Sequence, residues 1–178
     1  MSWDRPVKLH ELARGPVPLD LEPDAAQRAE IARRLKLESL PSFKARVIVK
    51  PWLDGAEITG RLDAVVEQIC GVSLEAFEAE VSGDIDLRVA PAGSPHASSS
   101  DGSELELDPD APDAPDILDG DTIDVTAYVV EHLALEIDPF PRKPGAVFEY
   151  EAPKEETSPF AALKALTDPK TRPPEEPS

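Results

Sequence analysis

The chain has 178 residues, with 36 acidic and 18 basic side chains and a formal net charge of −18. This acidic excess argues against binding to bare nucleic-acid backbone, which needs Lys and Arg to displace counterions. A single cysteine excludes an internal disulfide and any all-cysteine metal site. No apolar run reaches the ~18 residues of a membrane span. We expect a cytoplasmic protein with one domain, further linker or tail segments, and neither a membrane nor DNA as a partner.

The N-terminal part of the chain predicts one helix. Residues 7–12 are a candidate edge strand. After Pro23, the sequence DAAQRAEIARRL is rich in helix formers, and Asp24 is suited to cap the helix. We expect the helix to end near Leu37, before the break at Leu40 and Pro41.

The apolar period then changes from that of a helix to the alternation of strands. Residues 44–50, 57–67 and 77–89 alternate apolar with polar or charged side chains, which is typical of strands with one face in water. Gly83 lies inside the third run and is a candidate bulge or bend. The connection 70–75 is too short for a parallel crossover, so the strands should form an antiparallel meander.

An acidic segment at 92–121 consists mainly of Ser, Gly, Pro and Asp, and we expect a flexible loop there. An alternative is an acidic cation-binding protein, although the spacing does not match a calcium loop. Its candidate oxygen donors are Asp108, Asp110, Asp113 and Asp116.

Residues 124–138 have a helical apolar stripe that ends before Pro139. The elements together predict an α+β domain at 1–150, with an antiparallel sheet of at least three strands and two main helices. Residues 151–178 are expected to be a flexible tail.

Catalytic chemistry is not indicated by any motif. His10, His96 and His132 are scattered, and nothing in the sequence brings them beside Cys70 or Ser73. We therefore expect no enzyme, no cofactor and no metal, and interpret Cys70 as a small buried apolar residue. The alternative is a hydrolase-like enzyme with an unrecognised site near Cys70 and Ser73.

The tail contains the sequence SPFAALKAL at 158–166, in which Ser158 can cap a short helix. This helix docks on its own domain, stays frayed, or folds into the groove of a partner. The basic pair Arg142 and Lys143 follows the second helix. It either interacts with the helix dipole or contacts phosphate or an acidic partner. The partner-binding candidates are Pro159, Phe160, Leu163, Leu166, Arg142 and Lys143.

Three segments, taken in order, resemble the YceD-like family of large-ribosomal-subunit RNA accumulation proteins: 60–91, 118–145 and 158–166. Many members have Cys-x-x-Cys at the turn, whereas this chain has Cys70 and Ser73. A metal or redox role through that pair is therefore not implied here.

The resemblance implies a non-enzymatic factor that supports accumulation of large-subunit ribosomal RNA and ribosome biogenesis. Direct RNA contact requires that six bases gather on one face, and these are Arg33, Arg34, Lys36, Lys44, Arg46 and Lys50. A basic protein or a ribonucleoprotein of the large subunit suits the acidic chain better as a partner.

Overall fold

The computed structural model describes residues 3–96, 114–148 and 150. Residue contacts divide the chain into two units, Met1–Ala146 and Val147–Ser178. Every helix and strand of the described residues lies in the first unit. The strands are β1 Val7–Lys8, β2 Val17–Leu21, β3 Ser39–Trp52, β4 Gly55–Ile69, β5 Ala76–Pro91, β6 Asp116–Leu118 and β7 Thr122–Ile123; the helices are α1 Ala25–Leu35, α2 Val125–Glu136 and a 3-10 helix at Leu9–Arg14.

The fold is α+β, with a five-stranded sheet in the order β2-β3-β4-β5-β6 and a two-stranded sheet of β1 and β7. The predicted meander is confirmed, because β3, β4 and β5 pair antiparallel in succession. The prediction of a purely antiparallel sheet is wrong, since β6 pairs parallel with β5. Strand β6 can run parallel to β5 because the chain between Pro91 and Asp116 is longer than the dozen or so residues that a parallel crossover needs.

The predicted acidic loop 92–121 is wrong at Asp116–Leu118, which form strand β6. The reason is Leu118, which is buried in the core and anchors this segment to the sheet. Residues 97–113 of the predicted loop lie outside the described residues.

Helix α1 begins where the sequence predicts. The Asp24 carboxylate accepts a hydrogen bond from the Gln27 N–H at 2.9 Å, and the Gln27 side chain accepts one from the Asp24 N–H at 2.9 Å. This capping box satisfies two N–H groups that the first helical turn leaves free. Ile31 and Ala32 are buried against the sheet.

The N-terminal prediction is correct only in part. Val7–Lys8 form a strand that pairs with β7, but Leu9–Arg14 form a 3-10 helix. One edge strand of the large sheet is β2, which the sequence did not reveal because Pro18 lies inside it. An edge strand tolerates proline, since half of its N–H groups have no strand partner.

One face of the large sheet is buried and the other is exposed. The inward side chains of β3 and β4 join both helices in a single core, represented by Val47, Val49, Ile58, Leu62, Val129 and Leu133. The predicted alternation of all three long strands is confirmed.

The candidate bulge at Gly83 is wrong, because β4 and β5 stay in uninterrupted register along 76–89. A Cβ at Gly83 would lie 2.6 Å from the Glu136 side chain, so glycine here leaves room for that side chain, which extends from the last turn of α2 onto β5.

Candidate partner-binding surface

The connection between β4 and β5 is a compact turn closed by its own backbone. The Cys70 N–H donates to the Glu75 carbonyl at 2.9 Å, and the Leu74 N–H donates to the Cys70 carbonyl at 2.9 Å. The turn thus begins and ends at the last residues of a long, regular hairpin.

The Cys70 sulfur organises this turn. The side chain is 0% exposed, and Sγ accepts backbone N–H groups from Val72 at 3.4 Å, Ser73 at 3.3 Å and Lys143 at 3.3 Å. The Ser73 hydroxyl, followed by the N–H groups of Ser73 and Lys143, lowers the pKa of Cys70 to about 6, against the opposing effect of burial. The sulfur is therefore a charged acceptor that ties together two distant segments.

The second of these segments follows α2. The Gly71 N–H donates to the Pro141 carbonyl at 2.9 Å, and the Lys143 ammonium donates to the Glu75 carboxylate at 2.8 Å. This bond lowers the pKa of Glu75 and raises that of Lys143. Together with the bond from the Lys143 N–H to the Cys70 sulfur, these contacts fasten the segment to the turn at three points; we call this arrangement the clasp.

Two large apolar side chains project from this clasp into solvent. Leu74 is 77% exposed and has a φ of 58°, a left-handed conformation that costs a non-glycine residue about 1 kcal/mol or more. Phe140 is 79% exposed, and its N–H is held by the Asp138 carboxylate at 2.8 Å. Arg142, two residues after Phe140 in the sequence, is also exposed. We call Leu74, Phe140 and Arg142 the Cys70 surface.

A shallow groove of about 310 Å³ adjoins the Cys70 surface. It lies between the end of α1 and the segment after α2, and the Gln68 side chain crosses it to donate to the Asp138 carbonyl at 3.1 Å. Its apolar walls are Leu35, Leu37, Ile69, Ile137, Pro139 and Pro141. Lys36, Glu38, Gln68 and Asp138 also line it, so the groove combines apolar with charged and polar groups.

Residues 58–167 match the family model described as Large ribosomal RNA subunit accumulation protein YceD. The chain belongs to the YceD family. The matched segment includes β4 from Ile58 onward, all of β5 and α2, and every residue of the Cys70 surface. Comparison with curated proteins gave no match, and neither did comparison with solved structures.

The histidines of this YceD-family protein lie on separate elements. His10 is exposed in the 3-10 helix, His96 stacks edge-on against Trp52 with ring centroids 6.3 Å apart, and His132 Nδ1 lies 3.0 Å from the Tyr128 carbonyl oxygen. In the described ranges, no hydrogen bond joins any of them to Cys70 or Ser73. The same residues contain no cluster of three metal-ligating side chains, and neither α1 nor α2 has the length and apolar character of a membrane span.

The six bases do not gather on one face. Arg33, Arg34 and Lys36 belong to α1 and its C-cap, on the helical side of the sheet. Lys44, Arg46 and Lys50 lie on the opposite, exposed face, where they pair with Glu22, Asp20 and Glu57 at 3.1, 3.4 and 3.9 Å. An open cleft of about 620 Å³ on this face is likewise crossed by ion pairs. The arrangement that direct RNA contact requires is therefore absent from these six residues.

The structure places two of the predicted partner-binding residues. Arg142 is exposed at the Cys70 surface, whereas Lys143 is committed to Glu75 and to the Cys70 sulfur. Pro159, Phe160, Leu163 and Leu166 lie outside the described residues, as do Asp108, Asp110 and Asp113.

Sequence reasoning missed Leu74 and Phe140. A signal existed for Phe140, because it lies between Pro139 and Pro141, where neither a helix nor a central strand can bury it.

Proposed function

We propose that this protein is a non-enzymatic accessory factor of large-subunit ribosome biogenesis that acts by binding a protein or ribonucleoprotein partner. Membership of the YceD family supports the role in large-subunit RNA accumulation. The observation that carries the binding mode is the Cys70 surface, in which Leu74 is exposed in a costly backbone conformation on a firmly clasped turn. Such strain is characteristic of functional sites. We place the protein in the cytoplasm, where this partner is assembled.

The test replaces Leu74 with Asp in a strain depleted of the wild-type protein, with Leu135→Asp as the matched control. The two leucines are 77% and 76% exposed, but Leu135 lies on α2 and is not part of the Cys70 surface. We expect Leu74→Asp to reduce large-subunit RNA and large subunits in sucrose gradients, and Leu135→Asp to leave both unchanged. Normal large-subunit levels with Leu74→Asp would refute the proposed surface.

The tail is proposed as a second, tethered contact through Pro159, Phe160, Leu163 and Leu166. Deleting residues 158–178 should leave the thermal unfolding of the domain unchanged and weaken capture of the partner in pull-downs, with and without RNase. Unchanged capture by the truncated protein would remove the tail from the proposal.

A further inference from the structure

Strand β5 has a long outer edge. On one side it pairs with β4 along 76–89, whereas on the other β6 pairs only with Val89, Ala90 and Pro91. Within the ranges 3–96 and 114–148, residues 76–88 thus have no strand neighbour on that side. Alternate N–H and C=O groups in an antiparallel pair point away from the partner, so this side presents a row of backbone donors and acceptors.

Two devices that block strand pairing, bulges and prolines, are missing from this edge. The register with β4 contains no bulge along 76–89, and the sequence contains no proline between Ala76 and Ala90. Both devices prevent strand pairing whatever the chemistry of the incoming segment, whereas charged side chains such as those of β5 disfavour mainly segments of like charge. The β5 edge, as we call residues 76–88 on this side, is therefore geometrically able to accept another strand.

The two faces beside the β5 edge differ in chemistry. The exposed face has a row of carboxylates, Glu78, Glu80, Asp84 and Asp86. In the described part of the chain, only Asp84 of these forms an ion pair, with Arg61 at 3.4 Å. The opposite face has half-buried apolar side chains packed at the margin of the core, including Ala79, Val81 and Leu87.

We propose that the β5 edge binds an extended, basic protein segment by adding it to the sheet as a further strand. Backbone hydrogen bonds supply the attachment, and the alternation of β5 dictates the composition of the added strand. Lys or Arg at every second position faces the carboxylates, and apolar residues between them extend the core. Opposite charges on facing strands stabilise such pairs.

Charge decides between the candidate occupants. A second copy that pairs through its own β5 would set one row of carboxylates against another, which is destabilising. A nucleic-acid backbone is repelled by the same row. This inference rests on the proposed function, since it names the class of partner, and its tests are separate from those of the Cys70 surface.

The first test measures hydrogen exchange of the full chain with a synthetic peptide of alternating lysine and valine that spans the β5 edge. We expect the peptide to slow exchange at alternate amides of 76–88 by at least about tenfold. A peptide of the same composition, with lysines and valines in separate blocks, should not. Strand addition would be overturned if exchange slowed at consecutive rather than alternate amides, or if both peptides slowed it.

The second test compares Glu78→Lys/Glu80→Lys with Asp20→Lys/Glu22→Lys, which makes the same change of net charge at the opposite edge of the sheet. We expect Kd for the alternating peptide to rise at least about tenfold in the first variant and less than about threefold in the second. Equal losses would show general charge attraction and overturn the inference.

The free protein gives a further check that needs no variant. If the β5 edge amides already exchange slowly in the free protein, the edge is occupied. Protection that depends on protein concentration would indicate a second copy, and protection that does not would indicate another part of the same chain. Both results overturn the inference. If the peptide fails to bind while Leu74→Asp still lowers large-subunit RNA, the inference fails and the proposed function stands.

Discussion

The two turns at the ends of β4 contain the same backbone feature but are held in different ways. Leu53, before the Asp54–Gly55 step, has a φ of 49° and is 63% exposed; Leu74 has a φ of 58° and is 77% exposed. The first turn is short, and beyond its own hairpin it is fixed by Ser94, whose hydroxyl donates to the Asp54 carboxylate at 2.9 Å.

The second turn is longer and depends on a buried sulfur and on a segment distant in sequence. Its Cys70 accepts three N–H groups, one of them from Lys143. The Gly55 turn is held by close packing on the β5 backbone and one hydrogen bond from Ser94, whereas the Cys70 turn is held by several polar contacts to the segment after α2. We therefore expect the Cys70 turn to tolerate an added side-chain atom but not the loss of the Cys70 sulfur, its hydrogen-bond acceptor.

The largest difference should come from adding one methyl group to each turn. A Cβ at Gly55 would overlap the Val89 carbonyl oxygen and lie 3.0 Å from Ala90 Cα, both of them backbone atoms that cannot move aside. At Gly71 the nearest atom is the Pro141 carbonyl oxygen at 3.8 Å. We expect Gly55→Ala to destabilise by about 2 kcal/mol or more and Gly71→Ala by less than about 0.5 kcal/mol in urea unfolding. Similar losses would mean that the two turns are held alike.

The second prediction concerns the acceptor itself. The Cys70 pKa falls from 9.0 in the unfolded chain to about 6 in the fold. Its contribution to stability is therefore complete above pH 9, declines as the pH falls towards 6, and is absent below that. Under reducing conditions, the stability difference between wild type and Cys70→Ala should grow from pH 5.5 to pH 9.

Cys70→Ser provides the control for this pH dependence, because a hydroxyl accepts hydrogen bonds but does not ionise in this range. Cys70→Ser should retain part of the stability that Cys70→Ala loses. The stability difference between these two variants should stay constant with pH. A difference between wild type and Cys70→Ala that stays constant with pH would refute a charged sulfur.

The three long strands and the two α-helices were predictable because local patterns determine them. The alternation in 44–50, 57–67 and 77–89 and the Asp24 cap required no information from distant residues. Strands β2 and β6 were not predictable, because they are short and are stabilised by pairing with a long neighbour rather than by their own pattern.

The candidate site was predictable only in part. Arg142 and Cys70 stood out in the sequence, but the apposition of Lys143 and Cys70 joins residues 73 positions apart. The exposure of Leu74 is likewise a property of the folded turn, since leucine in a sequence indicates burial.

The third prediction separates strain from function. Replacing Leu53 or Leu74 with Gly removes the left-handed penalty of about 1 kcal/mol or more, and the more flexible unfolded chain offsets part of this gain. Each variant should therefore be as stable as wild type or up to about 1 kcal/mol more stable. Only Leu74→Gly should weaken partner capture. Equal capture by both variants would show that Leu74 has no more role than Leu53.

The smallest effect should distinguish the two adjacent bases. Lys143→Met removes an ion pair whose side chains are 43% and 62% exposed, so it should cost only about 0.5 kcal/mol. The loss should shrink further in salt, because screening already weakens this pair in the wild type. The Lys143 N–H still reaches the Cys70 sulfur in this variant, so the pH dependence of stability should remain.

Arg142→Met is the matched change, because Arg142 is exposed and forms no ion pair within the described residues. It should leave stability unchanged and weaken capture of the partner, measured by pull-down at two salt concentrations. If Lys143→Met weakens capture as much as Arg142→Met while stability is equal in both, the two bases form a joint contact. The assignment of Lys143 to the clasp and Arg142 to the partner would then be wrong.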